Sequence, residues 1–70
     1  MDKKALKRLL GEAEGHVSRG QQSIAQKCEL IATLEQDNRD TTSARALLKV
    51  LITVQLANER RRDRLVQELG

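Results

Sequence analysis

From Leu6 onward the apolar positions step by four and three: Leu6, Leu10, Ala13, Val17, Gly20, Ile24, Cys28, Ile31, Leu34. A period near 3.5 is the pattern of a helix lying at a shallow angle along a neighbour. Leu9 and Leu30 widen the stripe near its ends, and Lys4, Arg8, Glu12, Arg19, Gln22, Gln26, Glu29 and Gln36 fall on the opposite face. The spacing predicts a helix over residues 3–36, ~50 Å long at ~1.5 Å of rise per residue. Gly11, Gly15 and Gly20 weaken it, each by roughly 1 kcal/mol relative to alanine. Gly20 alone lies on the stripe, where close approach of a partner backbone would account for it. Gly11 and Gly15 lie off it, four apart, as tolerated helical glycines.

The periodicity breaks at Asp37-Asn38-Arg39-Asp40-Thr41-Thr42. Asn38 is the residue best able to take a left-handed helix cap where glycine is absent. Asp40 is the natural N-cap of a second helix, with Thr41 the alternative. The pattern thus predicts a turn over 37–40 and a helix over 41–68. So short a connection between two long helices leaves only an antiparallel hairpin. The implied register sets Leu34 against Ala44, Ile31 against Leu47, Ile24 against Val54, and Gly20 against Ala57 or Asn58.

The second helix is the more apolar. Its inner stripe reads Ala44, Leu47, Leu51, Val54, Asn58, Arg61, Leu65, yet ten of the fourteen residues from Ala44 to Ala57 are apolar. Leu48, Val50, Ile52 and Leu56 therefore have no claimant inside the hairpin. Burying such side chains is worth about 1.5–3 kcal/mol each, and contiguous apolar patches mark interaction surfaces. These four residues are the expected oligomer interface. The fold class expected is all-α: an antiparallel two-helix hairpin that dimerises into a four-helix bundle. Branched residues between Lys49 and Gln55 keep a short buried strand open as an alternative.

Composition sharpens this picture. The 70 residues include no proline and no aromatic residue, and one cysteine and one histidine. A core this small rarely supplies more than about 3–5 kcal/mol without disulfides, a metal or a partner subunit. One Cys28 cannot close an internal disulfide, and His16 alone offers no ligand cluster, so no metal or other cofactor is expected. Association with a second copy, or with another protein, is the remaining route. The opening MDKKALKRLL lacks a signal-peptide core, and the central apolar run is shorter than the ~20 residues of a membrane span. The expected setting is the cytoplasm, with no membrane partner.

Charge adds a candidate surface. Residues 1–12 carry four basic and two acidic side chains and residues 59–70 four and three, whereas the stretch between is balanced; the formal charge of +3 sits at one end of the hairpin. Arg60, Arg61, Arg62 and Arg64, beside Lys3, Lys4, Lys7 and Arg8, form a possible polyanion site, since guanidinium forks suit phosphate. Against that, Glu59, Asp63 and Glu68 can pair with the arginines along the helix, and no aromatic is present to stack on a base. Nucleic acid is thus the alternative partner. Cys28 reads as a small buried hydrophobe, His16 as a surface or boundary residue, and Asn58 as a polar residue that could set register. No nucleophile-and-base pair, inward carboxylate pair or phosphate loop is present, so the chain is not expected to be an enzyme and no catalytic residue is assigned.

The segments AEGHVSRG, IATLEQDNRDT, ARALL and RDRLVQELG resemble a group of small, uncharacterised bacterial helical-hairpin proteins. Members of that group tend to carry Gly-His before Asp-Thr, where this chain has Asn38-Arg39. The resemblance implies no activity for any residue.

Overall fold

A computed structural model describes residues 2–70. Two helices, α1 (Lys3–Gln36) and α2 (Thr42–Leu69), pack antiparallel along their lengths. No strand forms among the described residues, so Lys49–Gln55 is helical. The molecule is a rod of 54 × 14 × 14 Å with a radius of gyration of 16.1 Å, against about 11 Å for a globule of this length. Such a shape offers little interior. Among the described residues Leu6, Ala13, Val17, Ile31 and Leu65 are the buried hydrophobic ones, and no large side chain is fully enclosed.

Local chemistry fixes the ends. Asp2 caps α1, its Oδ1 accepting from the Ala5 amide at 2.8 Å. At the turn Asn38 adopts φ 55°, as expected of the left-handed cap. This reversal lets the Arg39 amide donate to the Leu34 carbonyl at 2.8 Å, just after the Asp37 and Asn38 amides donate to the Thr33 and Glu35 carbonyls, both at 3.1 Å. An asparagine tolerates this conformation better than other non-glycine residues. The second cap is shared between the two candidates. Thr41 holds the N-cap position, while the Asp40 carboxylate accepts from the Thr42 amide at 2.9 Å and the Thr42 hydroxyl at 2.7 Å.

Those two hydrogen bonds, first the hydroxyl and then the amide, hold the Asp40 carboxyl below its usual range. A depressed carboxylate contributes stability that is present above its unfolded value, about 4, and is lost as the pH falls through the folded value. Acidification below pH 4 is therefore expected to loosen the turn. The Thr42 amide resonance should titrate with Asp40; an amide insensitive to pH in that window would remove the carboxylate from the cap.

The buried stripe of α1 follows the expected positions with one exception. Cys28 is exposed, and Lys27 is half-buried in its place, so the steps run Ile24, Lys27, Ile31, Leu34. A lysine can lie there because its apolar stem covers the seam while the ammonium reaches water. The covered stripe of α2 is rotated from the expected one. It runs Thr41, Ala44, Leu48, Leu51, Gln55, Asn58, Arg62, Leu65, Leu69, with Glu59 also half-buried at its margin. Leu48, expected at the oligomer interface, is half-buried within the hairpin, whereas Leu47, Val54 and Arg61, expected inside, are exposed. Packing explains the change: both sets repeat every 3.5 residues, and the turn selects between them.

Gly20 shows the same shift in register. It faces Gln55, two to three residues nearer the turn than expected, and a Cβ built on it would lie 2.8 Å from Gln55 Cδ and closer still to Oε1. The close approach is thus by a side chain, not a backbone. Gln55 is the one buried polar residue among those described. Its Nε2 donates to the Val17 carbonyl at 2.8 Å, and its Oε1 is buried with no partner. Asn58, the expected polar seam residue, is only half-buried.

Candidate interaction surfaces

With the core confined to one narrow seam, the surface carries many of the large apolar side chains. Leu30, Leu47, Val50, Ile52, Val54, Leu56 and Val66 are all exposed. Their arrangement follows from helical spacing. Arg45, Ile52, Glu59 and Val66, seven apart, mark one edge of α2, as Glu35, Cys28, Gln21 and Glu14 mark one edge of α1. An ion pair between Arg45 and Glu35 joins these two edges. Ile52, with Leu56 one turn on, therefore lies on the same side of the hairpin as Cys28. Leu47 and Val54 lie on the opposite side with Leu30, and Val50 borders them.

Of the four residues expected to form an oligomer interface, Val50, Ile52 and Leu56 are thus exposed, with 56%, 42% and 49% of their surface open, and Leu48 is withdrawn. The three exposed ones do not form one patch. Val50 points away from the edge that Ile52 and Leu56 share.

The basic end is assembled as the hairpin topology requires. Leu6 and Ala13 pack with Leu65, and Leu9, Leu10 and Leu69 pack against that cluster, so the start of α1 and the end of α2 lie side by side. Lys3, Lys4, Lys7, Arg8, Arg60, Arg61 and Arg64 are exposed there, and Arg62 is half-buried. The ion pairing along the helix differs from expectation. Arg62 pairs with its neighbour Asp63 at 3.0 Å, and no other basic residue of this end makes an ion pair among the described residues. A shallow recess lined by Asp2, Lys4, Ala5 and Arg8 opens on α1.

His16 is exposed, its Nδ1 3.2 Å from Arg19 Nη2. No group of three or more His, Cys, Asp or Glu side chains converges among the described residues as a metal would require. Nor is either helix long and apolar enough to cross a membrane. Sequence reasoning missed Gln55, which carries no signal beyond its place one turn from Leu51. It also missed Lys49 and Glu59, which flank the exposed Ile52 and Leu56 at seam spacing and make no side-chain ion pair within the chain among the described residues. No protein-family model, curated protein or solved structure matches this chain.

Proposed function

We propose that the chain is a non-enzymatic helical hairpin that self-associates, two copies forming a four-helix bundle, and serves as an interaction or scaffold module. The observation that supports this most is the imbalance on α2, where Leu47, Val50, Ile52, Val54 and Leu56 are exposed while only Leu65 and Gln55 are buried. A rod with so thin a seam gains by covering one side of that surface with a second copy, because each of these half-exposed side chains removed from water adds about 1 kcal/mol. Sedimentation equilibrium at micromolar concentration tests the reading. A species of twice the 7.9 kDa chain mass supports it, and a well-folded single chain overturns it.

A second reading, a small nucleic-acid-binding regulator, draws support from the basic end. Seven cations there are exposed and lack an acidic partner among the described residues, which leaves them free to meet phosphates. Each phosphate neutralised by Lys or Arg releases counterions and steepens the salt dependence of binding. Replacing Arg60, Arg61 and Arg64 with alanine is expected to abolish a salt-sensitive shift of structured RNA at low salt. A wild-type chain that binds no RNA at 50 mM salt would remove this reading and leave the first intact.

A further inference from the structure

The edge of α2 that carries Ile52 and Leu56 has a charge pattern that reads the same on an antiparallel copy. Stepping by four and three, it runs Arg45, Lys49, Ile52, Leu56, Glu59, Asp63. Two cations stand at one end, two apolar residues in the middle and two anions at the other end. The spacing is symmetric about the level of Val54: Ile52 and Leu56 lie two residues to either side, Lys49 and Glu59 five, Arg45 and Asp63 nine. A second α2 running the opposite way, with the twofold axis at that level, sets Ile52 against Leu56, Lys49 against Glu59 and Arg45 against Asp63, each pair occurring twice.

We propose that this edge is the self-association surface, formed by antiparallel contact of α2 with α2 of a second copy. The inference rests on the self-association argued above and adds its geometry. The seam repeats every 3.5 residues, as shallow helix-on-helix contact requires. Ile52 and Leu56 are exposed, and Lys49 and Glu59 make no side-chain ion pair within the chain among the described residues. Arg45 and Asp63 hold Glu35 and Arg62 within the chain, but both remain more than half exposed and open to a second partner. The opposite edge does not have this property. It runs Leu47, Val50, Val54, Ala57, Arg61, Arg64, basic at one end with no acid at the other, so a second copy offers its arginines nothing. A parallel arrangement fails too, since it sets Lys49 on Lys49 and Glu59 on Glu59. Opposite charges that meet only in one orientation fix register and direction.

Charge reversal tests the geometry. In a twofold dimer, Lys49→Glu or Glu59→Lys turns two attractive pairs into two repulsive ones. Exposed pairs are individually weak, so each single reversal is expected to raise the dimer dissociation constant about tenfold to a hundredfold. The Lys49→Glu/Glu59→Lys double variant is expected to recover wild-type affinity. Lys49→Glu creates a favourable pair with Arg45 four residues away, and Glu59→Lys exchanges an attraction to Arg62 for one to Asp63, so the isolated helix changes little in stability. Sedimentation of the four proteins at low salt separates the outcomes. Single reversals that leave a wild-type dimer unchanged overturn the antiparallel edge and spare self-association. Weakened singles with no recovery in the double overturn the pairing. A wild-type chain that stays monomeric overturns both readings.

Discussion

A glutamate at Ile52 or Leu56 is expected to dissociate the assembly and to cost most of the helical signal. Each side chain lies on the edge assigned to the twofold contact, and each occurs twice in a dimer. The substitution removes an apolar contact of about 1.5–3 kcal/mol and brings a carboxylate into an apolar surface. A dissociation constant raised at least a hundredfold follows, since 1.4 kcal/mol is a factor of ten. In the proposed dimer each hairpin, with its thin seam, leans on the other, so loss of assembly would be coupled to loss of fold. Val50→Glu supplies the contrast. Val50 belongs to the other side of α2 and is 56% exposed, so the same charge there is expected to leave the sedimenting mass unchanged. Equal effects at Val50 and Ile52 would show that the contact does not distinguish the two edges.

Gly20→Val is expected to destabilise the hairpin. Its first added carbon would lie 2.8 Å from Gln55 Cδ and nearer still to Oε1. Gln55 is 5% exposed and cannot keep its place beside such a group. Overpacking costs about 1–3 kcal/mol and the lost hydrogen bond to the Val17 carbonyl about 1 more. The gain in helix propensity over glycine recovers only a few tenths of a kcal/mol. A net loss of about 2–3 kcal/mol would unfold much of a chain this small, as urea denaturation followed by circular dichroism would show. Gly20→Ala isolates the cause. Alone it is expected to lower stability, although alanine is the better helix former. In a Gln55→Ala background the same change should raise stability by about 1 kcal/mol, because the space is then free and only propensity remains. A gain from Gly20→Ala in the wild-type chain would show that the glutamine does not sit there.

Gln55 also bears on specificity. Its Oε1 is buried without a partner while Nε2 is satisfied, so the residue contributes little net stability. What it does hold is alignment, because it fills the space that Gly20 leaves open. Sliding α2 along α1 by one turn would set the amide against Val17 or Ile24 in place of Gly20. A single polar residue in an apolar seam is known to fix register in this way.

The chain's local chemistry made much of the fold legible. The 3.5-residue stripe from Leu6 to Leu34 and the absence of proline and aromatics indicated two helices, and Asn38 and Asp40 indicated where the chain turns. The observed helices, Lys3–Gln36 and Thr42–Leu69, lie within a residue of the expected 3–36 and 41–68. These features depend on propensity, capping and φ/ψ preference, which neighbours in sequence decide. The self-complementary order of Arg45, Lys49, Ile52, Leu56, Glu59 and Asp63 was also present in the sequence, but with no signal to mark that edge as the exposed one.

Tertiary structure decided the rotation of α2 about its axis. Leu47 and Leu48, Leu51 and Ile52, and Val50 and Val54 give that helix apolar residues on nearly every side. Hydrophobic burial is non-directional, so it does not choose among faces of equal greasiness. The choice came from the geometry of the turn and from the fit of one side chain, Gln55, against one glycine 35 residues away. With that fit in place Leu48 is turned inward and Leu47 outward, and Ile52 and Leu56 are left in the open.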